Sequence, residues 1–399
     1  MPPPTAAPGS NHAPQVAGRT AAFGTSIFSE MSALARQHGA VNLSQGFPDF
    51  ASPEWIRAAA KRALDADLNQ YAVSYGAPRL RQALAAKTAA QYGLTYDPDR
   101  EITVTSGATE AIFAVMQALV NPGDEVIVFE PCYDSYVPSI QMAGGVARAV
   151  RLDAPTWTFD PAALEAAITP QTRLILVNTP HNPTGKVFSA AELGLIADLC
   201  IRHGLIAVTD EVYEHLVFAP HRHIPLATLP GMGERTVTIS STAKTFSLTG
   251  WKVGYACAPA ALTAAIRSVH QFVVFCSATP LQEALADAVQ EAPARNYYAT
   301  FLRDYETRRD FLYSVLERAG LRPEAPQGAY FLMCDVAHCG FPDDIAFARY
   351  LTTEVGVAAI PPSVFYLTPP PGQWARFCFA KNPQTLQAAA DRLAAWQQP

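Results

Sequence analysis

Lys244 is the residue of this chain whose surroundings most favour covalent chemistry. It lies in the segment Ser240-Ser241-Thr242-Ala243-Lys244-Thr245, directly after an apolar run that is typical of a buried strand. A lysine amine attacks a carbonyl only when part of its population is neutral, and small hydroxylic neighbours let a ligand approach it closely. Taken alone, a lysine beside Ser and Thr is usually an exposed loop residue. Its interpretation therefore depends on partners elsewhere in the chain.

A carboxylate and a phenol follow another apolar run, in Val208-Thr209-Asp210-Glu211-Val212-Tyr213. If Lys244 holds the aldehyde cofactor pyridoxal 5'-phosphate (PLP), Asp210 can pair with its protonated pyridine nitrogen. That charge lets the ring act as an electron sink. Tyr213 follows closely enough to bind the ring oxygen next to the aldehyde. Asp210 alone has a second interpretation, as the N-cap of a short helix.

Two further side chains can bind a carboxylate. Asn182 lies in the turn 178–185, and its amide suits both the cofactor's ring oxygen and a substrate carboxylate. Arg376 lies in a strand-like segment, where alternation places it on the face opposite Phe377 and Phe379. Its guanidinium matches a carboxylate with two parallel hydrogen bonds. The alternative interpretations are a plain turn without a function for 178–185 and an exposed strand residue for Arg376.

A phosphate can be held where a strand meets a helix. The small-residue turn Gly107-Ala108-Thr109 leaves backbone N–H groups free at a predicted helix start, which favours an anion. Ser241 can donate to the same phosphate, and Tyr133 can stack on the pyridine ring. The alternatives are a simple turn capped by Thr109 and core packing of Tyr133.

The helices and strands predicted around these residues indicate an α/β fold. From about residue 53 to 280, helix-like and strand-like segments alternate, which predicts a mostly parallel sheet covered by helices on both faces. Ligands bind at the carboxyl ends of such strands, where each motif falls. Helices are predicted over roughly 281–318, followed by an irregular α+β region with strands at 324–335 and 374–380. The predicted elements of the first part are helices at Pro53–Asp67, Arg79–Tyr92 and up to Val120, and strands at Glu101–Thr105, Glu125–Phe129, Leu174–Asn178, Ile206–Thr209 and Thr236–Ser240.

The composition narrows the class of protein. The 399 residues suggest about two domains, and 49% hydrophobic with 16% charged residues fits a packed soluble chain. A net charge of -6 provides no basic field for nucleic acid, and no apolar run is long enough to span a membrane. Seven scattered cysteines without a Cys-x-x-Cys pair favour reduced thiols in the cytoplasm. Residues 1–22 are predicted to be a disordered tail.

The order of the motifs resembles the class I/II aminotransferases of PLP fold type I, over roughly residues 23–396. The segments 42–50 and 376–381 are most similar to the branch of kynurenine–oxoglutarate (glutamine) transaminases and bacterial methionine aminotransferases. The resemblance implies a large PLP-binding domain at 51–285 and a smaller α+β domain formed by 23–50 and 286–399. The motifs that carry it are Gly46-Phe47-Pro48, Gly107-Ala108-Thr109, Asn182-Pro183-x-Gly185, Asp210-x-x-Tyr213, Ser241-x-x-Lys244, Gly250-Trp251-Lys252-x-Gly254 and Arg376.

The resemblance also implies a homodimer whose two active sites are shared between the subunits. Tyr71 matches the tyrosine that reaches the partner's cofactor phosphate, and Phe275 matches an aromatic residue contributed across the dimer. Lys252 matches a basic residue that faces the phosphate. Phe28 matches the aromatic residue that lines the side-chain pocket, and Gly46 offers backbone near the substrate carboxylate.

The activity implied is a ping-pong amino transfer to a 2-oxo acid, in which Lys244 moves the substrate's α-proton. The aromatic pocket and the lack of an obvious second arginine favour a bulky uncharged, aromatic or sulfur-containing donor such as methionine, glutamine or kynurenine. Thr109 and Cys276 replace an aromatic residue and a histidine found in animal relatives, and both border the implied pocket. One alternative is a cystathionine or cysteine S-conjugate β-lyase using the same site. The other is a PLP-binding regulatory module, which the low basicity and the short segment before the motifs disfavour.

Overall fold

A computed structural model describes residues 17–20 and 23–396. The predicted disorder of residues 1–22 lies outside the described residues except at 17–20, where Gly18–Thr20 form an exposed 3-10 turn. Within these ranges, no helix combines the length and the apolar character needed to cross a bilayer.

The chain alternates helices and strands through its first two thirds, as the periodicity predicts. The helices are α1 (Ile27–Gln37), α2 (Glu54–Asp65), α3 (Pro78–Tyr92), α4 (Gly107–Leu119), α5 (Tyr136–Met142), α6 (Pro161–Ala166), α7 (Ala190–His203), α8 (Thr242–Thr245), α9 (Ala260–Val273), α10 (Thr279–Glu291), α11 (Tyr297–Arg318), α12 (Asp344–Tyr350) and α13 (Pro383–Ala395). The strands are β1 (Val41–Asn42), β2 (Ile102–Thr105), β3 (Glu125–Glu130), β4 (Val146–Arg151), β5 (Thr172–Asn178), β6 (Ile206–Asp210), β7 (Thr236–Ser241), β8 (Gly254–Cys257), β9 (Arg322–Glu324), β10 (Phe331–Asp335), β11 (Val357–Ala358) and β12 (Trp374–Cys378).

A seven-stranded sheet with the order β2-β8-β7-β6-β5-β3-β4 forms the centre of the fold. Its strands run parallel except β8, which pairs antiparallel with both β2 and β7. The prediction of a mostly parallel α/β sheet is therefore confirmed. Because neighbouring parallel strands end at the same edge, the segments after β2, β3, β5, β6 and β7 come together there.

Side chains of the central strands alternate between two apolar cores. In β3, Val126 and Val128 pack with α4 and α9 on one face, while Ile127 and Phe129 pack with α7 on the other. Each of these four side chains is buried. A strand buried on both faces has no polar side, so its ends are the places where polar groups can reach a ligand.

The region after residue 281 differs from the prediction in one place. The helices predicted over roughly 281–318 are confirmed as α10 and α11. They are separated where Pro293 cannot continue the backbone ladder and Asn296 takes a left-handed conformation with φ 50°. The strand predicted at 324–335 is correct for 331–335, which form β10, but its first part is wrong, because β9 ends at Glu324 and pairs antiparallel with β10 as a separate strand. Between them Ala329 has φ 59°, and a Cβ on Gly328 would meet the Leu216 carbonyl oxygen at 2.7 Å.

Smaller elements complete the fold. Strand β10 lies between β9 and β12 in an antiparallel sheet, and β1 pairs in parallel with β11. Helices α11 and α13 share the core of that sheet. The division into 51–285 and 23–50 with 286–399 stays a prediction.

Candidate active site

A pocket of about 390 Å³ opens at the edge where the parallel strands end. That volume lies in the range of sites for small molecules and cofactors. All the predicted site residues line it except Tyr71 and Phe275. The predicted residues at its wall are Phe28, Gly46, Gly107, Ala108, Thr109, Tyr133, Asn182, Asp210, Tyr213, Ser241, Lys244, Lys252 and Arg376.

Lys244 is presented by the single helical turn α8. The Ser241 hydroxyl caps this turn by accepting from Ala243 N at 3.1 Å, and it donates to the Val253 carbonyl at 3.2 Å. Burial lowers the pKa of the Lys244 amine to about 8. A larger fraction of this amine is therefore neutral near neutral pH than of an ordinary lysine, which is the condition for a nucleophile or base.

Asp210 is the buried last residue of β6. Its carboxylate accepts from the Tyr136 hydroxyl at 2.8 Å and from Val212 N at 3.3 Å. The residues after it form a turn and not a helix, so the N-cap interpretation is wrong. Burial raises the pKa of Asp210 to about 6, although the hydrogen bond from Tyr136 acts to lower it. The side chain is thus fixed and remains an anion at neutral pH, ready to pair with a buried cation.

Arg376 and Asn182 form a fixed pair at the opposite wall. One guanidinium nitrogen donates to Asn182 Oδ1 at 2.7 Å and the other to the Ser44 carbonyl at 2.9 Å. Arg376 is 1% exposed, so it is not the exposed strand arginine of the alternative interpretation. Its Nε has no partner among the described residues. A buried donor without a partner is costly, which favours an anionic ligand at this position.

Two glycines leave the space around the start of α4 free of side chains. The N-cap is Ser106, so the alternative interpretation of Thr109 as the cap is wrong. Thr109 instead forms a hydrogen bond with the phenol of Tyr133. A Cβ on Gly254 would lie 2.5 Å from Ala108 N, and one on Gly107 would lie 3.1 Å from Lys252 Nζ. Only glycine therefore lets the strand and the ammonium group approach the helix start, where free N–H groups and a positive charge favour a phosphate.

The segment 44–47 closes the pocket from the amino-terminal side. Its backbone carbonyls are held by buried side chains from distant parts of the chain. Lys381 donates to the carbonyls of Gln45 at 3.2 Å and Phe47 at 2.9 Å, and the Gly46 carbonyl accepts from Lys244 at 3.4 Å. Together with the bond from Arg376 to Ser44, this makes the segment a rigid wall.

Comparison with known proteins now decides the family. A profile of the family "Aminotransferase class I and II" matches residues 39–393, which is most of the chain. This chain belongs to the class I and II aminotransferases. Enzymes of this family depend on PLP, and so does this aminotransferase.

Relatives of this aminotransferase match over nearly their whole length. Methionine aminotransferase from Escherichia coli is 44% identical over 93% of this chain and 96% of its own. A probable N-succinyldiaminopimelate aminotransferase from Mycobacterium tuberculosis is 44% identical with the same coverage. Kynurenine–oxoglutarate transaminase from Dictyostelium discoideum is 40% identical over 94% and 95%. A solved Escherichia coli structure described as a methionine aminotransferase superposes with TM-score 0.92 at 43% identity, over 96% of this chain and 100% of that one.

The pocket fits PLP from one end to the other. The start of α4 and Lys252 would hold its phosphate, and the fixed carboxylate of Asp210 would pair with its pyridine nitrogen. Tyr133 would flank the ring, and the amine of Lys244 would bond to the aldehyde. Ser241 also lines the pocket, but its hydroxyl donates to the Val253 carbonyl. When bound, PLP supplies a carbonyl that bonds to amines and a ring that accepts electrons.

Two tyrosines that contact the predicted site residues were not predicted from the sequence. Tyr330 accepts from Lys244 Nζ at 2.9 Å and donates to the Gly46 carbonyl at 2.6 Å. Tyr136, three residues after Tyr133, donates to the Asp210 carboxylate at 2.8 Å. Neither tyrosine stands in a motif whose spacing predicts such a contact.

Tyr71 and Phe275 lie together on the surface. Tyr71 is 82% exposed, and its ring meets that of Phe275 edge-on at 5.2 Å between centroids. Phe272, which the sequence analysis did not name, is 86% exposed. The structure therefore does not bring the two predicted residues to the pocket of their own chain.

Proposed function

We propose that this aminotransferase takes the amino group from a bulky uncharged, aromatic or sulfur-containing L-amino acid and passes it to a 2-oxo acid by a ping-pong mechanism. One observation carries this proposal. Among the described residues that line the pocket, the cationic side chains are Lys244, Lys252 and Arg376. The first two belong to the cofactor end, so within one subunit only Arg376 remains, and it is needed for the α-carboxylate.

The walls around Arg376 support an apolar substrate side chain. Its guanidinium lies 4.1 Å from the ring centroid of Phe331, 5.1 Å from that of Phe28 and 5.6 Å from that of Phe365. An acidic side chain in these surroundings would be buried without a cation. The names of the Escherichia coli and Dictyostelium relatives, for methionine and kynurenine, agree with this donor class, whereas the Mycobacterium tuberculosis relative is named for an acidic donor, N-succinyldiaminopimelate.

The chain's own residues account for the steps of the exchange. Arg376 and Asn182 bind the substrate carboxylate and orient the α-carbon. The Lys244 amine takes the α-proton and later returns it, since its lowered pKa suits both tasks near neutral pH. With PLP bound, the carboxylate of Asp210 would keep the pyridine nitrogen protonated, so that the ring could accept electrons.

We predict that neutral donors react fastest in the first half-reaction. The loss of lysine-bound cofactor absorbance is followed with methionine, glutamine, phenylalanine and kynurenine, and with aspartate and N-succinyldiaminopimelate as acidic counterparts. Neutral donors should exceed acidic ones by about 10²-fold in kcat/KM, because a buried carboxylate without a partner is costly. Preference for either acidic donor would contradict the proposal. Stoichiometric pyruvate from cystathionine without a 2-oxo acid would instead indicate the β-lyase.

We further propose that the enzyme is a homodimer with shared active sites. The exposed aromatic pair of Tyr71 and Phe275, together with the exposed Phe272, supports an interface, because large exposed aromatic side chains are usually covered by a partner. Closed twofold dimers are the commonest assembly of soluble proteins. A cytoplasmic location, also a proposal, is supported by seven unpaired cysteines, six of them buried.

We predict that two inactive variants complement each other in such a dimer. Lys244→Ala removes the amine, and Tyr71→Ala removes the residue assigned to the partner's site. Mixed dimers carry one site with both changes and one intact site, so co-expression should restore about a quarter of the wild-type activity. Each variant expressed alone is the control. If mixing restored nothing although mixed dimers had formed, the sites would not be shared.

A further inference from the structure

Tyr330 places a hydroxyl between the amine of Lys244 and the backbone of Gly46. Its oxygen lies 2.9 Å from Lys244 Nζ and 2.6 Å from the Gly46 carbonyl, and the side chain is fully buried. The same amine also lies 3.4 Å from the Gly46 carbonyl. The three groups form a closed triangle at the wall of the pocket.

The directions of these hydrogen bonds follow from the groups themselves. A carbonyl oxygen only accepts, so the Tyr330 hydroxyl must donate its proton to Gly46. Burial raises the pKa of the Tyr330 phenol well above its usual value, so that proton stays in place. The lone pairs of the phenol oxygen then face Lys244, whose amine is the donor.

Ring packing fixes the position of the phenol. The Tyr330 ring lies edge-on to Tyr213 at 4.9 Å and to Phe331 at 4.8 Å, and it stacks with Tyr305 at 6.1 Å. A rigid acceptor matters because the lysine stem is long and flexible, while a base must remain within about 2.6–3.2 Å of the atom it serves.

We propose that Tyr330 is a positioning residue that docks the Lys244 amine whenever that amine is not bonded to the cofactor. The phenol oxygen and the Gly46 carbonyl accept its N–H groups. They hold the amine, and the proton it has taken, beside the substrate's α-carbon. The inference concerns the lysine and not the donor, so it stands independently of the substrate class.

Other ionisable groups around the amine must be included in any test. The carboxylate of Asp210 favours its charged form, whereas Lys252 and Arg376 disfavour it, and the buried thiol of Cys378 lies nearby with its pKa raised by burial. Tyr213, whose ring centroid lies 5.9 Å from the amine, completes this environment. The hydroxyl of Tyr330 is the group that a conservative substitution removes without altering these charges.

Tyr330→Phe is compared with Tyr305→Phe, a matched control from the neighbouring stacked ring, whose hydroxyl faces Ser247. In cofactor-free full-length protein, the rate of covalent reaction with PLP should rise with pH through an inflection near 8, where Lys244 loses its proton. Tyr330→Phe removes an acceptor that stabilises the ammonium form, so the inflection should fall by about one pH unit. Tyr305→Phe should leave it unchanged. No shift in Tyr330→Phe, or equal shifts in both variants, would overturn the proposal.

A second measurement follows the proton in the working enzyme. With an α-deuterated amino donor, Tyr330→Phe should lower kcat about tenfold and increase the kinetic isotope effect, with KM little changed.

If Tyr330→Phe failed to fold, a difluorotyrosine placed at position 330 would weaken the acceptor while retaining the shape. It should move the pH inflection in the same direction, and an unmoved inflection would refute the role of Tyr330. The pH profile is measured without an amino donor, so its outcome tests the role of Tyr330 independently of the proposed substrate class.

Discussion

Lys244→Ala is expected to lower transamination by at least about 10³-fold and to abolish the absorbance of lysine-bound cofactor. The substitution removes the nucleophile that bonds the cofactor and the base that moves the α-proton. Asp210, Asn182 and the start of α4 remain, so PLP should still bind through its phosphate and ring. Cofactor content and steady-state turnover of the purified variant test this directly.

Two further lysine changes sharpen that result. Lys244→Arg retains the positive charge, but a guanidinium does not deprotonate, so it should be as inactive as the alanine variant. Lys61→Ala removes an exposed lysine of α2 and should leave activity unchanged. Turnover by Lys244→Ala within about tenfold of the wild type would refute the assignment, because general acid–base catalysis alone contributes more than that.

Arg376→Lys is expected to raise KM for both the amino donor and the 2-oxo acceptor by about 10²-fold or more. Lysine retains the charge but loses the planar fork, so it cannot replace both the bond to Asn182 and the free Nε. Both substrates should be affected because the two half-reactions use the same carboxylate site. Titration with each substrate, followed through the cofactor spectrum, gives the affinities.

The matched control for this change is Arg309→Lys. Arg309 also packs over an aromatic ring, with its guanidinium 4.3 Å from the centroid of Phe218, but it does not line the pocket. Its replacement should leave both affinities unchanged. If Arg376→Lys bound amino and 2-oxo acids as tightly as the wild type, the carboxylate would be held elsewhere.

The parts of the site that the sequence predicted share one physical origin. Lys244, Asp210 and Gly107 each follow a short apolar run, and parallel strands end at a common edge, so their convergence follows from the pattern. Strand β4 was missed because it lies at the edge of the sheet and is half-exposed, with arginines between its apolar residues. Strand β8 was missed because it is short and begins with glycine.

Contacts between distant segments were beyond prediction. Tyr330 meets Lys244 across 86 residues and Gly46 across 284, and no local spacing encodes either distance. The sequence predicted Arg376 as a carboxylate ligand, but its bond to Asn182 and its free Nε depend on how β12 packs against the large sheet. Such contacts are set by tertiary packing, which a pattern along one segment does not contain.

The wall 44–47 connects the carboxylate site to the catalytic lysine. The Ser44 carbonyl accepts from Arg376, and the Gly46 carbonyl, two residues further on, accepts from Lys244. Lys381 donates to the carbonyls on either side of Gly46 and so fixes the backbone between these two contacts. One short backbone segment therefore sets the spacing between the group that binds the substrate carboxylate and the amine that moves the α-proton.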